Sequence, residues 1–98
     1  MIDFSKVEGF DWDKGNSRKN DKHGVDMTEA EEIFLDQRLL MFAGERHGGS
    51  EARFNALGKT KEGRLLHVTF TVRGGGRKIR VISARPMSYK ERGVYEKI

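Results

Sequence analysis

The sequence predicts an α+β domain made of two N-terminal helices, an antiparallel sheet of about four strands and one C-terminal helix. Helix start signals occur in the first third of the chain, alternating strand patterns in the middle, and a capped helical segment at the end. The chain has 98 residues, of which 36% are hydrophobic and 35% are charged. This length and composition fit one domain, residues 1–98, with a thin core.

Two helices are predicted before the sheet. The first extends from Lys14 to His23 and consists almost entirely of polar residues. The second extends from Glu29 to about Leu35 and begins at a capping box, in which Thr28 and Glu31 each satisfy a free main-chain amide of the first turn. We expect the helices to cover one face of the sheet and to leave the other face partly open.

The sheet is predicted to contain four strands, which occupy Leu39–Phe42, Arg53–Leu57, Arg64–Arg73 and Lys78–Ala84. In the third strand, hydrophobic residues alternate with a series that includes His67, Thr69, Thr71 and Arg73. Alternation at a period of two places such a series on one face of a strand. These polar side chains should therefore line the open face of the sheet.

A stop signal and a helix start signal follow the fourth strand. Pro86 has no main-chain N–H group, so it should end the pairing of that strand. Ser88 and Glu91 form a second capping box, which predicts a final helix from Tyr89 to Lys97.

The fourth strand is rich in positively charged residues. Regular alternation would place Lys78 and Arg80 on one face and Arg85 on the other. Arg80 and Arg85 could then contact the same phosphate only if the chain twisted or bulged near Pro86.

Positive charge is concentrated in the second part of the chain. Residues 1–62 contain 10 Lys and Arg and 13 Asp and Glu, a balance of −3. Residues 63–98 contain 9 Lys and Arg and only 2 acids, a balance of +7. This asymmetry favours a phosphate-containing partner, and the alternative is a solvated basic face that binds no ligand.

Several classes of protein are disfavoured by the composition. The absence of cysteine excludes disulfides and thiol nucleophiles and fits a reducing, cytoplasmic location. No stretch approaches the ~20 apolar residues of a membrane span, and the first residues lack the apolar core of a signal peptide. The three histidines share no short ligand spacing, so we expect neither a metal site nor a cofactor.

Histidines and arginines are the candidate reactive groups. His67 lies on the predicted polar face, whereas His23 ends the first predicted helix, where an imidazolium would suit the helix dipole. Arginines on a sheet can clamp a phosphate and stabilise charge that develops on it, which favours Arg53, Arg80 and Arg85. Helix capping, or ion pairing with the acidic first part of the chain, is the ordinary structural alternative for these residues.

A set of short motifs follows one another along the chain. They are Phe10-Asp11-Trp12-Asp13, Asn20–Val25, Glu51-Ala52-Arg53-Phe54, Gly63–Val68, Ile79–Arg85, Glu91-Arg92 and Tyr95-Glu96. In this order and spacing the set resembles the BrnT toxin family from Gly9 to Glu96. The family pattern does not include residues 1–8, which form an N-terminal extension. One departure is Pro86, which stands where a basic or polar residue is expected.

The resemblance implies a RelE-like ribonuclease toxin of a bacterial type II toxin–antitoxin system. Toxins of this family cleave RNA and arrest translation. Their partner is a cognate ribbon-helix-helix antitoxin, which neutralises the toxin and carries the complex to operator DNA. The resemblance therefore implies RNA as substrate, an antitoxin as protein partner, and DNA as a partner only through the antitoxin.

The resemblance and the residue chemistry together give a hypothesis for the site. By position, the resemblance implies site roles for His23, Arg53, Arg80 and Arg85. Metal-independent cleavage uses the 2′-hydroxyl of the RNA as nucleophile, with Arg80 and Arg53 as phosphate clamps and a histidine, His67 or His23, as proton-handling group. The other candidates are expected to bind or orient the substrate: Arg85, Arg64, Arg73, Lys78, Tyr89 and Arg92.

Two other functions fit the same sequence. One is a non-catalytic nucleic-acid-binding module that uses a basic sheet face, although its candidate stacking aromatics, Phe54 and Phe70, are predicted to face the core. The other is an adaptor whose basic part docks an acidic partner. Incubation with RNA in EDTA separates the three, because it yields cleavage, a mobility shift without cleavage, or neither.

Overall fold

A computed structural model describes residues 4–12, 23–44 and 52–97. Its elements in chain order are a 3-10 turn Phe4–Lys6, β1 Gly9–Asp11, α1 Met27–Glu32, a 3-10 turn Ile33–Leu35, β2 Leu40–Ala43, β3 Phe54–Lys59, β4 Leu65–Arg73, β5 Lys78–Pro86 and α2 Tyr89–Glu96. The five strands form one sheet in the order β1-β5-β4-β3-β2. None of the helices in these ranges is long and apolar enough to cross a membrane.

The predicted architecture of two N-terminal helices and four antiparallel strands is wrong. The described residues form a five-stranded mixed sheet with one short N-terminal helix, α1, and one C-terminal helix, α2. The additional strand, β1, pairs in parallel with β5, and the other neighbouring strands pair antiparallel. The first predicted helix, Lys14–His23, falls outside the described residues, apart from His23, which lies in a turn.

Helix α1 begins two residues earlier than predicted. Its N-cap is Asp26 rather than Thr28, because Asp26 Oδ1 accepts a hydrogen bond from Glu29 N at 2.8 Å and Glu29 Oε1 accepts one from Asp26 N at 3.2 Å. Both residue pairs have the spacing of a capping box. The predicted partner, Glu31, instead accepts a hydrogen bond from Trp12 Nε1 at 2.8 Å.

The two helices lie on opposite faces of the sheet, so the expectation that all helices share one face is wrong. The face that α1 covers is called the α1 face, and its main core consists of Val25, Ala30, Ile33, Ala56, Leu66, Val68, Phe70, Ile79, Val81 and Ala84. The other face is called the α2 face. There Tyr95 of α2 packs with Leu57 and Met87, and Leu40 and Leu65 pack around this smaller cluster.

Tyr95 anchors α2 to the loop before β2. Its hydroxyl donates a hydrogen bond to Asp36 Oδ2 at 2.6 Å, and Asp36 also accepts hydrogen bonds from Arg38 N and Lys59 N. Burial and the bond to Asp36 raise the pKa of Tyr95 to about 12. Burial opposes ionisation of Asp36, but its three hydrogen bonds outweigh that effect and lower the pKa of this carboxyl.

We expect Tyr95→Phe to lower the free energy of unfolding by about 1–2 kcal/mol near neutral pH, because it removes a hydrogen bond to a charged group. A raised folded-state pKa means that the hydroxyl contributes fully below about pH 10, its ordinary value, and that the contribution is lost as the pH rises through about 12. Denaturant titrations between about pH 10 and 12 should therefore show the free energies of unfolding of Tyr95→Phe and the unaltered protein converging. Tyr89→Phe is the control, since Tyr89 is 94% exposed and its loss should leave stability unchanged.

Candidate functional site

A β-bulge places Arg80 and Arg85 on the same face of the sheet. The β4–β5 register skips Ile82, which pairs with no residue of β4. As a result, Val81 before the bulge and Ala84 after it are both buried in the main core, although they are three residues apart. Residues after the bulge therefore face the opposite side from the one that regular alternation would give them. Arg80 and Arg85 therefore both belong to the α2 face. From the sequence, these two arginines could contact the same phosphate only if the chain twisted or bulged near Pro86. A bulge is present, but it lies at Ile82, inside the strand.

Five predicted site residues form a strip along β4 and β5 on the α2 face. Cross-strand pairing joins His67 to Arg85 at one end and Arg73 to Lys78 at the other, and Arg80 lies between them. The strip covers six residue steps of β4, roughly 20 Å at ~3.3 Å per residue. We call these five residues, four of which are Lys or Arg, the cationic strip.

Arg80 lies where the strip meets the edge strand β1. The register pairs it with Asp11, whose Oδ2 lies 3.6 Å from Arg80 Nε. The two side chains are 24% and 37% exposed, and a partly exposed ion pair of this kind contributes about 0–1 kcal/mol. This pair by itself therefore restrains the guanidinium only weakly.

Arg85 is held by a bidentate ion pair with Glu91 of α2. Its Nη1 donates a hydrogen bond to Glu91 Oε1 at 2.8 Å and its Nη2 donates one to Oε2 at 2.9 Å, while Nη1 also donates to the main-chain oxygen of Pro86. The hydrogen bonds from Arg85 lower the pKa of Glu91 to about 2, and the same pair raises the pKa of Arg85. Both groups are therefore charged at neutral pH.

His67 lies directly beside this ion pair. Its Nε2 is 3.9 Å from Glu91 Oε2, and its side chain is 13% exposed. Burial, followed by the positive charge of Arg85, lowers the pKa of His67 below its ordinary value of 6.5, although Glu91 opposes the shift. Its Nδ1 is buried without a well-formed hydrogen bond to any described residue. The imidazole is neutral at pH 7 and can accept a proton.

A groove of about 340 Å³ lies beside His67, between the sheet and α2. It is lined by Phe42, Asn55, Leu57, His67, Lys90, Glu91 and Val94. On its floor, Asn55 Oδ1 accepts a hydrogen bond from Thr69 Oγ1 at 2.8 Å, which fixes the orientation of the amide. Neither here nor elsewhere in the described ranges do three His, Asp or Glu side chains come together as metal ligands would.

Two of the predicted site residues belong to the α1 side of the sheet: His23 precedes α1, and Arg64, just before β4, reaches the first turn of α1 with its side chain. Arg64 Nη1 donates hydrogen bonds to Gly24 O at 2.7 Å and to Glu29 Oε1 at 2.9 Å, so its partners belong to the α1 side of the sheet. His23, next to Gly24, is exposed in a turn. Arg64 is three residues from His67, roughly 10 Å along an extended chain, but the contacts of the two side chains lie on opposite faces.

The remaining predicted residues surround the strip. Arg53 precedes β3, and its main-chain oxygen accepts a hydrogen bond from Gly44 N at 2.6 Å, which extends the β2–β3 ladder. Continuing the β3–β4 register by one residue places Arg53 opposite Thr71, beside the strip. Tyr89 and Arg92 are exposed on α2.

Comparison with known proteins adds an independent finding. The family model for the ribonuclease toxin BrnT of type II toxin–antitoxin systems matches residues 12–91, most of the chain. The chain belongs to the BrnT family. The crystal structure of the Brucella abortus ribonuclease toxin BrnT is also similar, with a TM-score of 0.58 and 26% sequence identity over 82% of this chain and 96% of that chain. No curated protein sequence matches the chain.

Membership of the BrnT family confirms the resemblance that the sequence motifs indicated. It makes the chain a ribonuclease toxin of a type II toxin–antitoxin system, with RNA as its target and an antitoxin as its partner. The matched range contains every predicted site residue except Arg92 and ends at Glu91. RNA is therefore the ligand against which the positions of the residues in the cationic strip are interpreted.

The position of Glu91 within this candidate site was not predicted from the sequence. Apart from its place in the Glu91-Arg92 motif of the family resemblance, Glu91 was identified only as half of a capping box. That capping box is present, since Ser88 N donates a hydrogen bond to Glu91 Oε1 at 2.8 Å and Glu91 N donates one to Ser88 Oγ at 3.2 Å. The ion pair with Arg85 depends on the bulge in β5 and on the packing of α2 against the sheet after Pro86, which is the last residue of β5 and pairs with Leu66. No local pattern in the sequence marks either effect.

Proposed function

We propose that this BrnT family toxin cleaves RNA without a metal ion, through the 2′-hydroxyl of the substrate, and thereby inhibits translation. A cognate ribbon-helix-helix antitoxin neutralises the toxin and carries the complex to operator DNA. The observation that carries the proposal is the cationic strip, which gathers five predicted site residues on one sheet face. A row of basic groups is what binding of a polyanionic backbone requires.

His67 is the proton-handling group of the proposed mechanism. The 2′-oxygen attacks the adjacent phosphorus and the 5′-oxygen leaves, so one proton must be removed from the first oxygen and one must be supplied to the second. A neutral imidazole can take the first proton and return it in the second step. His67 is favoured over His23 because it adjoins Arg85 and Glu91, whereas His23 lies beside the start of α1.

The arginines have separate roles in this proposal. Arg80 and Arg53 lie on either side of Thr71 of β4. In this proposal they stabilise the negative charge that develops on the phosphate. Arg85 does not act as a phosphate clamp, because its two Nη atoms donate hydrogen bonds to the carboxylate of Glu91. It helps to hold the site around His67 instead. Arg64 has a structural role at the start of α1. The other basic and aromatic candidates contact RNA beyond the reacting phosphate: Arg73, Lys78, Tyr89 and Arg92.

The proposal is tested by incubating the purified protein with RNA in EDTA and analysing the products. Fragments ending in a 2′,3′-cyclic phosphate or its hydrolysis product support it, because attack by the 2′-hydroxyl produces that terminus. A mobility shift without fragments would favour the non-catalytic binding module, and neither result would favour the adaptor. Growth arrest on expression, relieved by the cognate antitoxin, tests the cellular part of the proposal.

We expect Arg80→Ala to lower kcat/KM for RNA cleavage by about tenfold to a hundredfold, because it removes a donor aimed at the developing charge. Rates measured under single-turnover conditions would show the loss in the chemical step. Arg77→Ala is the matched control, since it removes the same charge from the exposed β4–β5 turn. Equal losses in both variants would mean that net charge, rather than the position of Arg80, accounts for the effect.

A further inference from the structure

We infer that Glu91 is a positioning residue of the ribonuclease site, which holds Arg85 beside His67 and stabilises the imidazolium that forms when His67 accepts a proton. This inference rests on the proposed role of His67. In the sequence Glu91 belongs to a capping box and to the Glu91-Arg92 motif of the resemblance, and neither the cationic strip nor the family match assigns it a part in the reaction.

The geometry of the Glu91 carboxylate supports this role. Glu91 Oε1 accepts hydrogen bonds from Arg85 Nη1 and Ser88 N, both at 2.8 Å. Glu91 Oε2 accepts one from Arg85 Nη2 at 2.9 Å and lies 3.9 Å from His67 Nε2. Because a bidentate arginine pair fixes the plane of a carboxylate, the oxygen that faces His67 is held in place before substrate binds. One side chain of α2 thus connects to both β4 and β5.

The charged groups around His67 support the same role for Glu91. The charged groups that face it are Glu91 and Lys90 from α2 and Arg85 from β5, whereas the β3 side chains in the same groove are neutral. Burial and Arg85 both disfavour the imidazolium, and Glu91 favours it. Without the carboxylate, a proton taken from the 2′-hydroxyl would have to reside on a buried ring beside an arginine.

A competing explanation gives Glu91 the opposite effect. The carboxylate could occupy the guanidinium fork of Arg85 and so exclude a substrate phosphate from it. The two explanations predict opposite effects on RNA cleavage when the Glu91 carboxylate is removed. Removal of a blocking carboxylate would raise RNA affinity and activity, whereas removal of a positioning carboxylate lowers the rate of the chemical step.

Glu91→Gln tests the inference with little disturbance of the helix, because glutamine also completes a capping box at this position. We expect kcat to fall about tenfold, a part of the usual contribution of general acid–base catalysis, with a smaller change in KM. The pKa of His67, measured by NMR titration of its ring protons, should fall further below 6.5. The acid limb of the pH–rate profile should move to lower pH with it.

Ser88→Ala is the control, since it breaks the other half of the capping box and leaves the Glu91 carboxylate in place. It should reduce stability without moving the pKa of His67 or the pH–rate profile. The inference is overturned if Glu91→Gln leaves the pKa of His67 unchanged, or if it raises RNA affinity or activity. If the unaltered protein does not cleave RNA, the proposed function fails, and the NMR titration alone decides whether Glu91 and His67 are coupled.

Discussion

Replacement of His67 by glutamine is expected to reduce RNA cleavage by about 10²–10⁴-fold, the usual contribution of a general acid–base group. The imidazole is neutral, adjoins a fixed carboxylate and stands at the end of the cationic strip. Glutamine keeps a polar side chain of comparable reach but cannot exchange a proton at neutral pH. Single-turnover cleavage in EDTA measures the loss, and a denaturant titration shows whether the variant remains folded.

His23→Gln is the matched comparison for this prediction. It makes the same exchange of side chains in an exposed turn on the α1 side of the sheet, next to Gly24, whose main-chain oxygen accepts a hydrogen bond from Arg64. We expect its effect on cleavage to be much smaller than that of His67→Gln. A large loss for His23→Gln combined with a small one for His67→Gln would transfer the proton-handling role to the start of α1.

The part of the fold that follows from local pattern could be predicted from the sequence. Alternation identified the strands that became β4 and β5, but the predicted end of pairing before Pro86 was wrong, because β5 extends from Lys78 to Pro86 and Pro86 pairs with Leu66. The capping box of Ser88 and Glu91 correctly placed the start of α2 at Tyr89. Each of these signals is carried by residues within one turn or one strand, so no tertiary contact is needed to recognise it.

Features that depend on contacts distant in the sequence could not be predicted. Strand β1 has three residues and pairs with a strand nearly 70 positions later, so neither its length nor a hairpin turn marks it. The face on which α2 packs depends on how Tyr95 reaches Asp36, 59 residues away in the chain. At α1, Thr28 was predicted as the N-cap, but Asp26 has the same spacing to Glu29 and is the residue that caps the helix.

The candidate site was predicted as a set of residue types rather than as an arrangement. Alternation correctly assigned His67 and Arg73 to one face, because β4 is regular at those positions. For β5 the same rule separated Arg80 from Arg85, and the bulge at Ile82 brings them back to one face. Partners of charged residues were not predictable either, since an arginine pairs with whichever carboxylate the tertiary fold brings near it.

Gly58→Ala is expected to lower the free energy of unfolding by about 1–3 kcal/mol, the usual cost of overpacking a closely packed core. A Cβ at this position of β3 would lie 2.8 Å from Ile33 Cβ and 3.1 Å from Ile33 O. Both atoms belong to or adjoin the main chain, so they cannot rotate away as the end of a side chain can. The 3-10 turn after α1 would have to move off the sheet.

Gly93→Ala is the matched control, because a Cβ at Gly93 of α2 meets no atom within 4 Å. There alanine should raise the free energy of unfolding by about 0.5–1 kcal/mol through its higher helix propensity, so the two substitutions are expected to have opposite signs. Denaturant titrations of both variants measure this difference. Gly58 pairs with Leu66, the neighbour of His67, so a displaced strand should also reduce RNA cleavage by Gly58→Ala, whereas Gly93→Ala should retain it. Equal stabilisation by both substitutions would contradict the close packing of Ile33 on β3. It would also remove the support that this packing gives to the strands that carry the cationic strip.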